Sequence, residues 1–281
     1  VNKKIGDPPD PSKIFDLGDE LREIMFKSHI KISKPTQSQT QGMKSRAGVL
    51  WESLLVWYCN LCMIGTRSVV IRKSKKLVPS QFLDAITADY GVATDDSEAD
   101  LIAITFPDDA DFTDEMPDSF KMDGKKIKML RDKGTKGYER LGPLVKIVFT
   151  KFLFRLVDNH FKDFEMGIVS CKTPWNDFAV IPQHWDLVYS LSKTHPGALT
   201  SKGFSIGTKG YSINNLSNFF YAFVALPSQD PGIIRPNGMP VVRLRSLSGG
   251  NFWGLPTRPD IAESMKEIFA RNFQTSFGNG V

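Results

Sequence analysis

The sequence predicts an α/β fold, in which a central mixed β-sheet is flanked by helices on both faces. Segments with apolar residues at helical spacing alternate with short, continuously apolar segments along the chain. The short segments carry few polar positions, which is typical of strands that helices cover on both sides. No linker or abrupt change of composition divides residues 1–281, so we predict one domain.

Predicted strands are short, rich in apolar residues and bounded by polar or turn-forming residues. They are residues 68–72, 99–106, 165–172, 219–226 and 241–247. The last of them alternates apolar with charged residues instead of being apolar throughout. We predict a turn at residues 95–98 and irregular structure over the acidic, glycine-containing stretch 107–140.

Predicted helices have apolar residues repeating at three- and four-residue intervals. They are residues 14–30, 48–65, 79–90, 144–160, 181–193 and 261–273. In the first of them, Leu17, Leu21 and Ile24 form the apolar side. Residues 31–46 are polar and basic, so residues 1–46 are predicted to form an N-terminal helix followed by an arm.

Composition and charge restrict the class of protein. The formal net charge of +5 favours a polyanionic partner. Three cysteines in 281 residues do not indicate a disulfide framework, which favours a reducing cytoplasm. No apolar run is long enough to cross a membrane, and residues 1–6 lack the apolar core of a secretory signal.

Two charged residues at strand ends are the candidate catalytic groups. Asp100 opens the predicted strand 99–106, and Lys172 closes the strand 165–172. Burying a lysine ammonium without a partner is costly, so Lys172 needs a carboxylate or a charged ligand nearby. Hydrolysis of a phosphodiester with Mg²⁺ uses carboxylates to hold the cation and a lysine to assist the attacking water. Asp100 and Lys172 are suited to these roles.

These residues resemble the signature of the PD-(D/E)xK nucleases. In that superfamily an acidic residue opens one strand and a neighbouring strand ends in (Asp/Glu)-x-Lys. Here Ala99-Asp100 stands where the family has Pro-Asp, and Ser170-Cys171-Lys172 stands where it has Glu-x-Lys. Ser170 is a departure, because a hydroxyl cannot supply the second carboxylate.

One branch of type II restriction endonucleases, which reads sites with a CCGG core, has the same departure. It carries Ser-x-Lys and takes the second carboxylate from the following helix. The resemblance implies that Asp186, fourteen positions after Lys172, has this role, with Glu165 and Asp177 as alternatives. Gly48-Val49-Leu50-Trp51-Glu52 is similar to the Gly-x-x-Phe-Glu context of a further acidic residue in that branch, which makes Glu52 a third candidate.

The resemblance implies a magnesium-dependent endonuclease that cuts double-stranded DNA at a specific sequence. Asp100, Asp186 and the backbone carbonyl of Cys171 would hold Mg²⁺, Lys172 would assist the water, and Glu52 would support the site. The implied assembly is a homodimer or a tetramer in a prokaryotic cytoplasm. The alternatives are a repair or junction-resolving nuclease of the same superfamily, and a DNA-binding protein without catalysis in which Ser170 marks a lost site.

Candidate DNA contacts fall into two groups. Polar residues after Lys172 would reach base edges; they are Thr173, Trp175, Asn176 and Asp177. Basic residues elsewhere would contact DNA, mainly its phosphates; they are Lys34, Lys44, Arg46, Lys202, Lys209, Arg243 and Arg245. The loop after Lys172 lacks the arginine pair of the CCGG-reading branch, so the recognition sequence is not transferred.

Two further motifs are interpreted as structural. The lysines at 73, 75 and 76 are interpreted as a solvated face. Cys59-x-x-Cys62 lies in an apolar helix and has no second cysteine pair, so core packing is favoured over a zinc site.

Overall fold

The structure is a computed structural model, which describes the central sheet and the helices that cover it. The described residues are 13–14, 17–18, 20–21, 23–24, 41–75, 77–89, 94–95, 99–109, 112, 119–122, 125–128, 131–133, 139–141, 153–172, 205–225, 237–254 and 261–273. The predicted helix 181–193 lies outside these ranges. The described residues between 13 and 24 are helical, as predicted.

Helices and strands alternate along the described chain. The helices are α1 (Gln41–Cys62), α2 (Ser80–Ile86), α3 (residues 153–160), α4 (Met239–Ser248) and α5 (Met265–Asn272). The strands are β1 (Ser68–Arg72), β2 (Ala88–Asp89), β3 (Thr94–Asp95), β4 (Leu101–Thr105), β5 (Ser119–Met122), β6 (Lys125–Lys128), β7 (Arg131–Lys133), β8 (Glu139–Leu141), β9 (Glu165–Lys172), β10 (Ser205–Ile206), β11 (Asn218–Ala225) and β12 (Phe252–Trp253). Short 3₁₀ helices span Phe161–Asp163 and Ile213–Asn215.

The central sheet is mixed and has five strands in the order β1-β4-β9-β11-β12. The pairs β1–β4 and β4–β9 are antiparallel, and the pairs β9–β11 and β11–β12 are parallel. Small sheets are formed by β10-β2-β3, β5-β6 and β7-β8. The predicted mixed sheet is confirmed.

One face of the central sheet is covered by α2, α3 and α4. Alternate strand side chains point to this face, and they are Ile102, Ile104, Met166, Ile168, Tyr221 and Phe223. Phe82 of α2, Val157 of α3 and Val241 of α4 pack on them, and all three are at most 3% exposed. Burying an apolar side chain of this size contributes about 1.5–3 kcal/mol.

The other face is covered by α1 and α5. The intervening strand side chains form this second core, and they are Leu101, Ala103, Val169, Cys171, Phe220, Ala222 and Val224. Trp51 and Tyr58 of α1 and Phe269 of α5 pack on them. Helices therefore cover both faces of the sheet, as the alternation in the sequence predicted.

Gly167 in the centre of β9 makes room for an aromatic ring. It is in register with Phe220 of β11, and a Cβ at this position would lie 2.1 Å from Phe220 Cζ. The ring of Phe220 in turn packs edge-on against Phe273, with centroids 5.0 Å apart. Any side chain at 167 would displace this ring from the second core.

The predicted strand 241–247 is wrong, because these residues form α4. The helix has a proline in its first turn, and it ends at Gly249, whose φ is +60°. Proline early and glycine after the end are the usual signals of a helix, and they outweigh the alternation of apolar and charged residues between them. Arg243 and Arg245 therefore lie on a helix, where positions two residues apart point about 200° apart.

Other element boundaries also differ from the predictions. The arm is wrong over residues 41–46, which form the first turns of α1. The helix predicted over 79–90 ends at Ile86, because the chain then pairs as β2 with β3 and β10. The predicted turn is wrong at Asp95, which belongs to β3.

The stretch 107–140 is not irregular throughout, since it contains β5, β6, β7 and the start of β8. The final helix begins at Met265 and not at 261, because Ser264 caps it by accepting a hydrogen bond from the Glu267 amide at 3.2 Å. Within the described residues, the helices are too short or too polar to cross a membrane.

Candidate active site

Asp100 lies at the start of β4, next to the end of β9. Its backbone N–H donates to Val169 O at 3.1 Å, although Val169 is in register with Leu101. Two residues of one strand thus face one residue of its neighbour, which is the arrangement of a β-bulge. Bulges redirect a side chain, and here the Asp100 carboxylate turns to β9.

The Asp100 side chain contacts the backbone of the Ser-x-Lys segment. The Cys171 amide N–H donates to Asp100 Oδ2 at 2.6 Å. At the end of the β4–β9 pairing, the Asp100 carboxylate thus accepts a hydrogen bond of the kind that a backbone carbonyl usually accepts. The contact joins residues 71 apart in sequence and brings together the two parts of the predicted motif.

Ser170, Cys171 and Lys172 are the last three residues of β9. Ser170 is fully buried, and Cys171 is 9% exposed within the second core. Lys172 is in register with Ala225 of β11, but its side chain lies outside the described part of the structure.

Five strands meet at this end of the central sheet, which we call the site end. β1 ends and β4 begins there, since Arg72 pairs with Leu101. β9, β11 and β12 end there, since Lys172 pairs with Ala225 and Val224 pairs with Trp253. Side chains at the site end therefore come from several separate parts of the chain.

Glu52 of α1 also lies at the site end. Arg72 Nε donates to Glu52 Oε2 at 2.8 Å, and the Glu52 side chain is 18% exposed. Further along the helix, Asn60 bonds the backbone N–H and carbonyl of Val70 at 3.0 and 2.6 Å. These two contacts align α1 antiparallel to β1, with its first residues at the site end.

The residues of α1 that precede Glu52 extend past the end of β1 at the site end. From Glu52 back to Gln41 a helix rises about 16 Å. The backbone positions of Lys44 and Arg46 are on this extension, although their side chains lie outside the described residues. Both remain predicted DNA contacts.

The oxygen donors at the site end fit a hard cation such as Mg²⁺ in type. They are the carboxylates of Asp100 and Glu52 and the backbone carbonyl of Cys171. Among the side chains that the structure describes, no group of three or more His, Cys, Asp and Glu forms a metal cluster. Asp186 and Asp177, the predicted sources of a second carboxylate, lie outside the described residues.

Glu165 is excluded as the second carboxylate. It is the first residue of β9 and pairs with Thr105, whereas Asp100 contacts Cys171 at the other end of the same strand. Six residues of strand separate positions 165 and 171, which is about 20 Å. The two carboxylates are too far apart to share one cation.

The predicted DNA contacts are only partly described. Lys209 is exposed, and its ammonium donates to both carboxylate oxygens of Asp84 at 3.1 and 3.2 Å. Arg245 is exposed on α4, and the side chain of Arg243 is not described. The others lie outside the described residues; they are Lys34, Thr173, Trp175, Asn176, Asp177 and Lys202.

Three basic residues at the site end were not among the predicted site residues. Arg72 closes β1, and Lys73 and Lys75 follow it. The Lys73 amide donates to the backbone carbonyl of Asp100 at 2.9 Å, so this segment runs beside Asp100 on the β1 side of β4. An antiparallel pairing of β1 with β4 would have predicted these three basic residues at the site, because the end of one strand then meets the start of the other.

The cysteine pair belongs to the second core, as predicted. Cys59 is 1% and Cys62 is 7% exposed. Burial raises the pKa of Cys59 well above its usual value and the pKa of Cys62 to about 12. Both thiols therefore stay protonated at neutral pH and pack as small apolar side chains.

In comparisons with family models, with curated proteins and with solved structures, nothing matches this chain. A proposal of function therefore depends on the chemistry and geometry of the site end.

Proposed function

We propose that this protein is a magnesium-dependent endonuclease of the PD-(D/E)xK superfamily, with a restriction-endonuclease-like fold, which cuts double-stranded DNA at a specific sequence. The observation that carries the proposal is the 2.6 Å hydrogen bond from the Cys171 amide to Asp100 Oδ2. It joins the acidic residue that opens one strand to the x-Lys segment that ends the neighbouring strand. A chance match of two short motifs would not require them to be neighbours in the sheet.

Each residue has a role in this proposal. Asp100, the Cys171 carbonyl and Asp186 would hold Mg²⁺, and Glu52 would support the cation site from α1. Mg²⁺ bound there would supply Lewis acidity, which polarises the phosphate and lowers the pKa of the attacking water. Lys172 orients that water and offsets the negative charge that develops on the phosphate. The hydrogen bond from Cys171 fixes the orientation of the Asp100 carboxylate before the cation binds.

The proposed assembly is a homodimer, with a tetramer as the alternative. Two copies related by a twofold axis present the same site to both strands of a palindromic sequence. The net charge of +5 supports association with a polyanion. A restriction enzyme acts in the prokaryotic cytoplasm, where we propose that this protein is located.

The test is cleavage of plasmid DNA of known sequence with and without Mg²⁺. We expect discrete bands, which disappear with Asp100→Ala and with Lys172→Ala. Matched controls are Asp163→Ala and Lys162→Ala, two exposed charges next to the opposite end of β9. Equal cutting by the site-end variants and their controls would overturn the proposal.

The buried serine favours a second candidate, a DNA-binding protein without catalysis. Ser170 is fully buried where the superfamily has a carboxylate. This candidate predicts salt-sensitive binding of duplex DNA and no cleavage with Mg²⁺. A preference for branched over linear duplex in the same assay would instead identify a junction-resolving or repair nuclease.

A further inference from the structure

The turn after β1 is basic and hydrogen-bonded, and it lies against Asp100. The Lys73 amide donates to Asp100 O at 2.9 Å. Ser74 O accepts from the amides of Leu77 and Val78 at 3.0 and 2.9 Å, and Val78 is buried in the first core. The backbone of residues 73–75 is therefore anchored at both ends.

The turn carries several basic residues. Arg72, Lys73 and Lys75 contribute three positive charges within four residues. Glu52 pairs with Arg72, and the Lys73 amide donates to the backbone carbonyl of Asp100. Lys75 is exposed, and Lys73 is half-buried. Three basic residues thus border the site end on the side of β1.

We propose that residues 73–75 bind the phosphate backbone of duplex DNA next to the phosphate that is cut. This inference rests on the proposed function, because it takes Asp100 as the position of the reacting phosphate. A lysine ammonium is a compact charge on a flexible chain, which suits phosphate contacts more than the reading of base edges. The contact therefore adds affinity and position without adding sequence preference.

The test is DNA binding without Mg²⁺, so that no strand is cut. Anisotropy of a labelled duplex gives the dissociation constant at several salt concentrations for the parent protein and for Lys73→Ala, Lys75→Ala and the double variant. Each lysine that contacts a phosphate contributes about 0.9 to the slope of log affinity against log salt, so the double variant lowers this slope by about 1.8. We expect its affinity at moderate salt to fall roughly two- to thirtyfold.

Two properties distinguish this contact from a general loss of charge. The loss of affinity is equal for duplexes of different sequence. A Lys73→Arg, Lys75→Arg double variant restores the slope of log affinity against log salt. Lys162→Ala is the matched control, because Lys162 is an exposed lysine next to the opposite end of β9. It keeps the parent slope, and the melting temperature of each variant shows that the fold is retained.

The outcomes separate the inference from the proposed function. A parent protein that cuts DNA, with turn variants that bind like Lys162→Ala, overturns the inference and keeps the nuclease. A parent that binds but never cuts, with turn variants of lower slope, keeps the phosphate contact and removes the nuclease. If the turn variants lose affinity for polyglutamate but not for duplex DNA, the inference is overturned, because the turn would then bind an acidic protein.

Discussion

The two ends of the central sheet are constructed differently. At the far end, where β1 begins, Ser68, Thr105 and Glu165 lie side by side in regular register across three strands. The hydroxyls of Ser68 and Thr105 bond each other at 2.6 Å. At the site end the register is broken at Asp100, and a carboxylate replaces a backbone acceptor.

This difference between the two ends indicates that the far end contributes to stability and the site end to function. Both ends of the sheet hold a carboxylate, since Glu165 at the far end is 7% exposed. The site end differs in its bulge, which turns the Asp100 carboxylate onto the backbone of β9 and needs a compensating reason. We take that reason to be the binding of a cation and a phosphate. Changes at the site end should therefore affect activity, and changes at the far end should affect stability.

The largest expected effect is on cleavage. Asp100→Asn keeps an oxygen that can accept from the Cys171 amide but removes the negative charge. We expect cleavage to fall about a hundredfold or more, while the free energy of unfolding stays within about 1 kcal/mol of the parent. Asp163→Asn should change neither quantity, and equal cleavage by the two variants would end the functional distinction between the ends.

The second effect is on packing in the middle of the sheet. Gly167→Ala places a methyl group 2.1 Å from the Phe220 ring, so we expect a loss of about 1–3 kcal/mol or more in urea unfolding. Gly48→Ala is the control, because nothing lies within 4 Å of its Cβ position in α1. It should stabilise the protein by about 0.5–1 kcal/mol; a neutral Gly167→Ala would contradict the close packing on Phe220.

A smaller effect is expected at the far end. Thr105→Val keeps the shape of a side chain that is 1% exposed but leaves the buried Ser68 hydroxyl without its present partner. The free energy of unfolding should fall by about 1–2 kcal/mol, with cleavage per folded molecule unchanged. Reduced cleavage at full stability would show that the far end also takes part in function.

The smallest effect is on the alkaline limit of stability. The Tyr211 hydroxyl donates to Asp158 at 2.5 Å, and this hydrogen bond raises the pKa of Tyr211 to about 12 from its ordinary 10. A pKa raised by folding adds stability that is present below pH 10 and is lost as the pH rises through about 12. Tyr211→Phe should remove that part of the pH dependence, measured as the difference between parent and variant in urea midpoints above pH 10.

Much of the central sheet could be predicted from the sequence, because its strands are short apolar runs between polar residues. β1 and β9 have the predicted boundaries, and β4 and β11 differ by one or two residues. The prediction failed at residues 241–247, where alternation suits a strand but the flanking proline and glycine suit a helix. It also failed for β5 to β8, which have many charged residues and little apolar pattern.

The candidate site could be predicted only in part. Asp100 and Lys172 stand out because a charge at the end of an apolar strand needs a partner. The bulge at Asp100 and the approach of Lys73 depend on how residues far apart in sequence pair, which one strand cannot reveal. The pairing of Glu52 with Arg72, twenty residues away, is hidden for the same reason.

That pairing has a consequence for how ligands of opposite charge would affect each other. Glu52 and Arg72 neutralise one another through their ion pair at the site end. A cation that draws the Glu52 carboxylate away frees the guanidinium for an anion, and an anion that takes the guanidinium frees the carboxylate for a cation. Each ligand would then strengthen the binding of the other by the same factor, because thermodynamic coupling is reciprocal.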